Sequence, residues 1–271
     1  MTTVPQIWRV PDGVRGLLLD LDGTLYMGER PIPGAARFVQ DARAAGRRLL
    51  FLTNNSSRSA ADWAAKLGRL GFNATADEVF SSGRATALYL ARTAPGKRVY
   101  LLGTDALRGE LAEQGVACAD DGAEIVVVGF DTGLTYARLT RACRYLLDGL
   151  PFIATHPDRV CPTEDGPIPD AGSFLALIEA ATGRRPDVII GKPNQPLIDG
   201  ALERLRLRPQ EVAMVGDRLY TDMAMARAAG LTAVLVLSGE TTPAMLERLA
   251  PEARPDIVIA SVAAAEFAPR L

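Results

Sequence analysis

Short apolar runs recur along the chain and alternate with longer segments whose apolar residues return every third or fourth position. Leu17, Leu18 and Leu19 form the first run, which breaks at once into Asp20, Leu21, Asp22, Gly23 and Thr24. Residues 34–46 carry helical spacing between two glycines, and residues 48–54 (RLLFLTN) are apolar again. A second round follows, with a helix over 57–71 opened by serines suited to N-capping, a strand over 78–82 and a helix over 83–93. Such alternation predicts a parallel sheet with right-handed crossovers, covered on both faces because its strands are apolar throughout.

From residue 97 the alternation restarts. Strands are expected at 98–102, 124–130 and 152–155, with helices at 106–114, 136–148 and 170–182 and a polar, Pro-rich excursion over 161–172. The last stretch has strands at 187–191 (DVIIG), 211–216 (EVAMVG), 231–237 and 256–260, and helices at 195–207 and 242–249. The pattern predicts a doubly wound parallel-sheet α/β core in two parts, residues 1–83 and 187–271, with a second α/β domain, residues 84–186, inserted between them.

Polar residues gather where strands stop. Asp20, Thr53 with Asn54, Lys192 and Asp217 each close an apolar run, and Asp222 follows five residues after Asp217 at the start of a helix. In parallel strands of one sheet these positions share the edge beyond which such sheets bind ligands. Asp20 and Asp22 repel each other if close, which demands a shared proton or a hard divalent cation. The Lys, the Thr hydroxyl and the Asn amide suit an anion that also binds that cation, and a phosphate monoester fits both halves. An Asp carboxylate can also attack phosphorus as a covalent nucleophile.

Composition removes several alternatives. Of 271 residues 48% are hydrophobic and 23% charged, an ordinary globular balance, and a net charge of -2 offers no basic surplus to nucleic acid or an anionic membrane. No apolar run approaches the ~20 residues of a membrane span, and MTTVPQIWRVPDG lacks the basic and apolar regions of a signal peptide, so a cytoplasmic protein is expected. Cys118, Cys143 and Cys161 form no Cys-x-x-Cys pair and read as reduced, mostly buried thiols. His156 is the single histidine, which rules out a multi-His metal site. Trp8, Trp63, Met223 and Met225 read as packing residues.

DLDGT at 20–24, LTNN at 52–55, GKPN at 191–194 and GDRLYTD at 216–222 resemble, in order, the four motifs of the haloacid dehalogenase superfamily phosphatases. The inserted block resembles their class II cap. TNNSSRS, ATHPD, GKP and GDRLYTD are similar to the NagD-like, p-nitrophenyl phosphatase branch. The resemblance implies Asp20 as nucleophile, forming a phosphoaspartyl intermediate, and Asp22 as general acid and then base. It implies Mg²⁺ on the Asp20 carboxylate, the Asp22 main-chain carbonyl and Asp217, with Asp222 binding directly or through water. Thr53 and Asn54 would bind phosphoryl oxygens, and Lys192 would neutralise Asp20 and the transferring group.

In the inserted domain His156, the adjoining Asp158, and Asp170 with Ser173 at a helix start are candidate specificity contacts, weighed against ordinary hydrogen-bonded structural roles. The expected substrates are small phosphate monoesters such as p-nitrophenyl phosphate, sugar phosphates or nucleotide monophosphates, and a homodimer is compatible with the pattern. The Walker motif fails at Pro186 and Pro193. A dehalogenase would need neither Asp22 nor Asp217. The remaining alternative is a catalytically idle binding or regulatory protein on the same scaffold.

Overall fold

The computed structural model describes residues 7–163 and 165–268; MTTVPQ, part of the segment read for a targeting signal, lies outside the described residues. The chain divides into two compact units, Met1–Leu52 with Ala64–Val79 and Ala201–Leu271, and Thr53–Trp63 with Phe80–Gly200.

The first unit is built on a six-stranded sheet in the order Ile257–Ile259, Thr232–Val236, Val212–Gly216, Gly16–Asp20, Arg48–Thr53, Val79–Ser81. The five strands from Ile257–Ile259 to Arg48–Thr53 pair parallel. Leu17, Leu18 and Leu19 are wholly buried, and each contributes about 2 kcal/mol by leaving water. That burial anchors a segment which ends in carboxylates. Chain order reverses at the Gly16–Asp20 strand: later strands are added first beyond Arg48–Thr53 and then beyond Val212–Gly216. A crevice at the carboxyl ends of these central strands is where doubly wound sheets hold ligands. Leu19 pairs with Val215 and Asp20 with Leu52, so Asp20 and Asp217 leave the sheet beside each other and Thr53 is the next residue after the partner of Asp20. A hairpin of Tyr26–Met27 and Arg30–Pro31 follows the DGT turn. Trp8 and Met225 are buried packing residues, as is Met223.

The second unit has a four-stranded parallel sheet in the order Val188–Ile189, Phe152–Ala154, Ile125–Val128, Val99–Leu102. Tyr100, Leu102, Val126, Val128, Phe152 and Ala154 present alternate side chains to one face, where Ala142 and Leu146 of helix Tyr136–Leu147 meet Leu175 and Ile178 of helix Ala171–Thr182. Thr104, Thr135 and Asp170 cap three of its helices through side-chain oxygens. The hairpin Val160–Cys161 with Ile168–Pro169 occupies the polar excursion.

The run DVIIG departs from expectation. Val188 and Ile189 pair with Ile153 and Ala154, so this strand completes the four-stranded sheet instead of opening the second half of the six-stranded one. Lys192 therefore does not close a strand of the sheet that carries Asp20. An apolar run announces a buried parallel strand, but period alone does not say which sheet receives it. The three cysteines are half-buried rather than mostly buried. No helix among the described residues is long and apolar enough to cross a membrane.

Candidate active site

In the first unit Asp20 ends its strand, and Gly23 turns the chain at φ +83°. A Cβ at Gly23 would lie 2.4 Å from Asp217 Oδ2, so both conformation and space demand glycine there. Thr24 Oγ1 donates to Asp20 Oδ2 at 3.4 Å. Asp22 is half-buried. Burial and the Asp20 charge raise its pKa, against the opposing pull of Lys66 and Arg218.

Asp217 and Asp222 follow the Val212–Gly216 strand. Asp222 lies in a π-turn, Leu219–Met223, ahead of helix Ala224–Ala229, rather than at the helix start. The turn carries its carboxylate back, and a Cβ on Gly216 would stand 2.4 Å from Asp222 Cγ. Oxygens of Asp20, Asp217 and Asp222 all lie within 4.8 Å of one another. At such separations each charge pair costs about 3–4 kcal/mol at an effective dielectric near 20. Three together rival the stability of a domain, so a proton or a cation must offset them. Burial first, then Asp20 and Asp222, raise the pKa of Asp217.

The donor set fits a hard divalent cation. Asp217 Oδ2 accepts the Glu240 N–H at 2.6 Å, whereas Asp217 Oδ1 is buried with no hydrogen-bond partner among the described residues. A buried carboxylate oxygen without a donor is costly unless a cation completes it. Arg218 N–H donates to Asp222 Oδ2 at 3.1 Å.

In the second unit, Thr53 Oγ1 accepts the Asn55 N–H at 3.1 Å and the Asn54 side chain is spent on neighbours. Asn54 Oδ1 accepts the Lys192 N–H at 2.7 Å, and its Nδ2 donates to the Lys192 carbonyl and to both Asp158 oxygens, each at 3.2 Å. Lys192 is buried. Gly191 is required by this approach, because a Cβ would lie 2.6 Å from Asn54 Oδ1 and 2.7 Å from His156 Cβ.

His156 and Asp170, both expected as candidate specificity contacts, are buried and bonded to each other. The imidazole is 0% exposed; Nδ1 is 2.8 Å from Thr155 Oγ1, and Nε2 is 2.8 Å from Asp170 Oδ1. Asp170 Oδ1 also accepts the Ala171 N–H at 2.6 Å, so both residues serve the helix start. Asp158 is half-buried against Asn54, and half-buried Ser173 donates through Oγ to the Arg159 carbonyl at 2.6 Å.

Sequence reasoning missed Arg218 and the segment 238–241. Ser238 Oγ donates to the Gly23 carbonyl at 2.8 Å and Thr241 Oγ1 to the Asp217 carbonyl at 2.5 Å. The signal was present: SGET closes the apolar run LTAVLVL, as Asp20 and Asp217 close theirs.

Residues 17–117 match the family model of haloacid dehalogenase-like hydrolases, and residues 189–265 match a HAD-hydrolase-like model. The acid sugar phosphatase of Staphylococcus saprophyticus is 38% identical over 235 residues, 86% of this chain and 90% of that protein. The solved 4-nitrophenylphosphatase of Thermotoga maritima superposes with a TM-score of 0.89 at 42% identity, covering 93% of this chain and 96% of that one. A glycerol phosphate phosphatase of Mycobacterium tuberculosis, solved in complex with magnesium, gives 0.87 at 36% identity over 93% of this chain and 76% of that one.

Proposed function

Because the chain belongs to the haloacid dehalogenase-like hydrolase family, we propose that its phosphatase chemistry runs on Asp20 as nucleophile and Asp22 as acid and base, beside Mg²⁺. The chain is a phosphatase of small phosphate monoesters. The Asp20, Asp217 and Asp222 carboxylates and the Asp22 main-chain carbonyl would hold the cation, and the observation that carries this reading is the convergence of the three carboxylates with the unpartnered Asp217 Oδ1.

Asp20 attacks phosphorus as the bond to the ester oxygen breaks, and Asp22 gives that oxygen its proton. The raised pKa of Asp22 keeps the proton available nearer neutral pH than an exposed carboxyl would. The alcohol departs and the phosphoryl group stays on Asp20. Water then attacks phosphorus while Asp22 takes its proton; the bond to Asp20 breaks, phosphate leaves and both residues are restored. A bound Mg²⁺ supplies charge neutralisation for the phosphoryl oxygens and the crowded carboxylates.

Thr53 and Lys192 are assigned to the phosphoryl group by their motifs. Asn54 joins them by holding the Lys192 backbone, since its own amide is committed. The four-stranded unit is the cap in this reading, with Asp158 and Ser173 as its remaining candidates for leaving-group selection. The substrates are small phosphate monoesters such as p-nitrophenyl phosphate, sugar phosphates, nucleotide monophosphates or similar metabolites. An idle role loses its ground, because each motif residue is in place. The test is phosphate release from a panel of these esters with EDTA or with Mg²⁺; a folded protein that releases none from any member with Mg²⁺ present overturns the reading.

A further inference from the structure

The segment 238–241 grips the loop that bears Asp217 and Asp222. Besides the Ser238 and Thr241 hydroxyls, the Glu240 N–H holds Asp217 Oδ2 at 2.6 Å, and the Glu240 side chain reaches back: Oε2 lies 3.0 Å from Arg218 Nε and accepts the Tyr220 hydroxyl at 3.1 Å. The Arg218 approach is an ion pair without the alignment of a hydrogen bond. Arg218 N–H in turn holds Asp222 Oδ2 at 3.1 Å. Arg218 and Glu240 thus join two carboxylates of the trio in one circuit, each giving a main-chain donor to one carboxylate and a side chain to the other residue.

Resting on the Mg²⁺ reading of the trio, we propose that the Glu240–Arg218 pair sets which divalent cation the site accepts, by keeping Asp217 a one-oxygen ligand. Asp217 Oδ2 is occupied by the Glu240 N–H, and among the described residues Oδ1 has no hydrogen-bond partner. The carboxylate has little room to turn, since a Cβ at Gly239 would lie 2.0 Å from Oδ2. Mg²⁺ demands a tight octahedron and takes single oxygens. Ca²⁺ takes larger shells and readily uses both oxygens of a carboxylate. Freeing Glu240 from Arg218 loosens 238–241 and releases Oδ2, which costs Mg²⁺ its fixed ligand and gives Ca²⁺ a second oxygen. Both are positioning residues, acting through the carboxylates that their main-chain donors hold.

The test is calorimetric titration of the metal-stripped full chain with MgCl2 and with CaCl2. In Glu240→Ala, Mg²⁺ affinity falls about 10- to 100-fold while Ca²⁺ affinity stays within about threefold, so the ratio of the two drops. Glu240→Gln, which keeps an acceptor for Arg218, recovers most of that ratio. Should Glu240→Ala fail to fold, Arg218→Met carries the same expectation, because it breaks the pair and keeps a side chain of similar length. An unchanged ratio in a folded variant, or an equal fall for both cations, overturns the inference while the metal reading stands. A natural protein that binds no Mg²⁺ overturns both.

Discussion

His156 Nε2 lies 2.8 Å from Asp170 Oδ1, and both side chains are buried where helix Ala171–Thr182 begins. Removing the imidazole leaves Asp170 with one donor fewer in a dry site and opens a cavity. His156→Ala should destabilise the protein by about 3 kcal/mol in urea unfolding, while kcat/KM keeps the same order across a panel of esters. A reordered panel at unchanged stability would return His156 to the leaving-group pocket.

Asp20→Asn removes the attacking charge and almost no volume. Turnover should drop by at least about 10³-fold, or about 4 kcal/mol of barrier, with the unfolding midpoint unchanged or raised because one of three crowded charges is gone. A folded variant that keeps a few per cent of activity removes Asp20 from the nucleophile's role.

Gly239→Ala would place a Cβ 2.0 Å from Asp217 Oδ2, a distance only movement can relieve. Since this glycine is not at positive φ, the substitution acts through crowding rather than backbone strain. The Mg²⁺ concentration for half-maximal activity should rise about 10- to 100-fold, with a smaller change in activity at saturating Mg²⁺. An unshifted Mg²⁺ requirement contradicts the placement.

Asp217 is pushed up to about 8, by burial first and then by Asp20 and Asp222. Its folded pKa lies above its unfolded value, so the folded state binds more protons. The contribution to stability is fully present below about pH 4 and is lost as pH rises toward that folded value. With EDTA present, the thermal midpoint should therefore fall as pH rises through this window, and Mg²⁺ should restore more of it at the alkaline end. Asp217→Asn should flatten the slope; an equal slope in that variant assigns the effect elsewhere.

Asn54 Oδ1 holds the Lys192 N–H at 2.7 Å, which makes the amide a support for the lysine loop. Asn54→Ala should lower kcat/KM for all esters alike, by about 10²-fold, and Lys192→Ala should do the same. A change confined to KM for bulky esters would instead make Asn54 a leaving-group contact.

The alternation of apolar runs and helical segments sufficed to announce a doubly wound α/β core, because strand burial and helix amphipathicity are local periodicities. The polar residues that stop those runs marked Asp20 and Asp217 for the same reason, since a carboxylate directly after a wholly apolar strand of a parallel sheet falls at the sheet's mouth, and Asp22 and Asp222 follow them within a few residues. The sheet joined by DVIIG was decided by tertiary structure, since Val188 and Ile189 suit either parallel sheet and only pairing with Ile153 and Ala154 selects one. So was the burial of His156 against Asp170, since its one-letter neighbourhood is the same for a pocket and for a buried cap. The tie from Glu240 to Arg218 spans residues 22 positions apart in the chain and arises only when two strands end side by side. Contacts between such residues depend on register and on which way a loop turns after its strand, and neither leaves a period in the sequence.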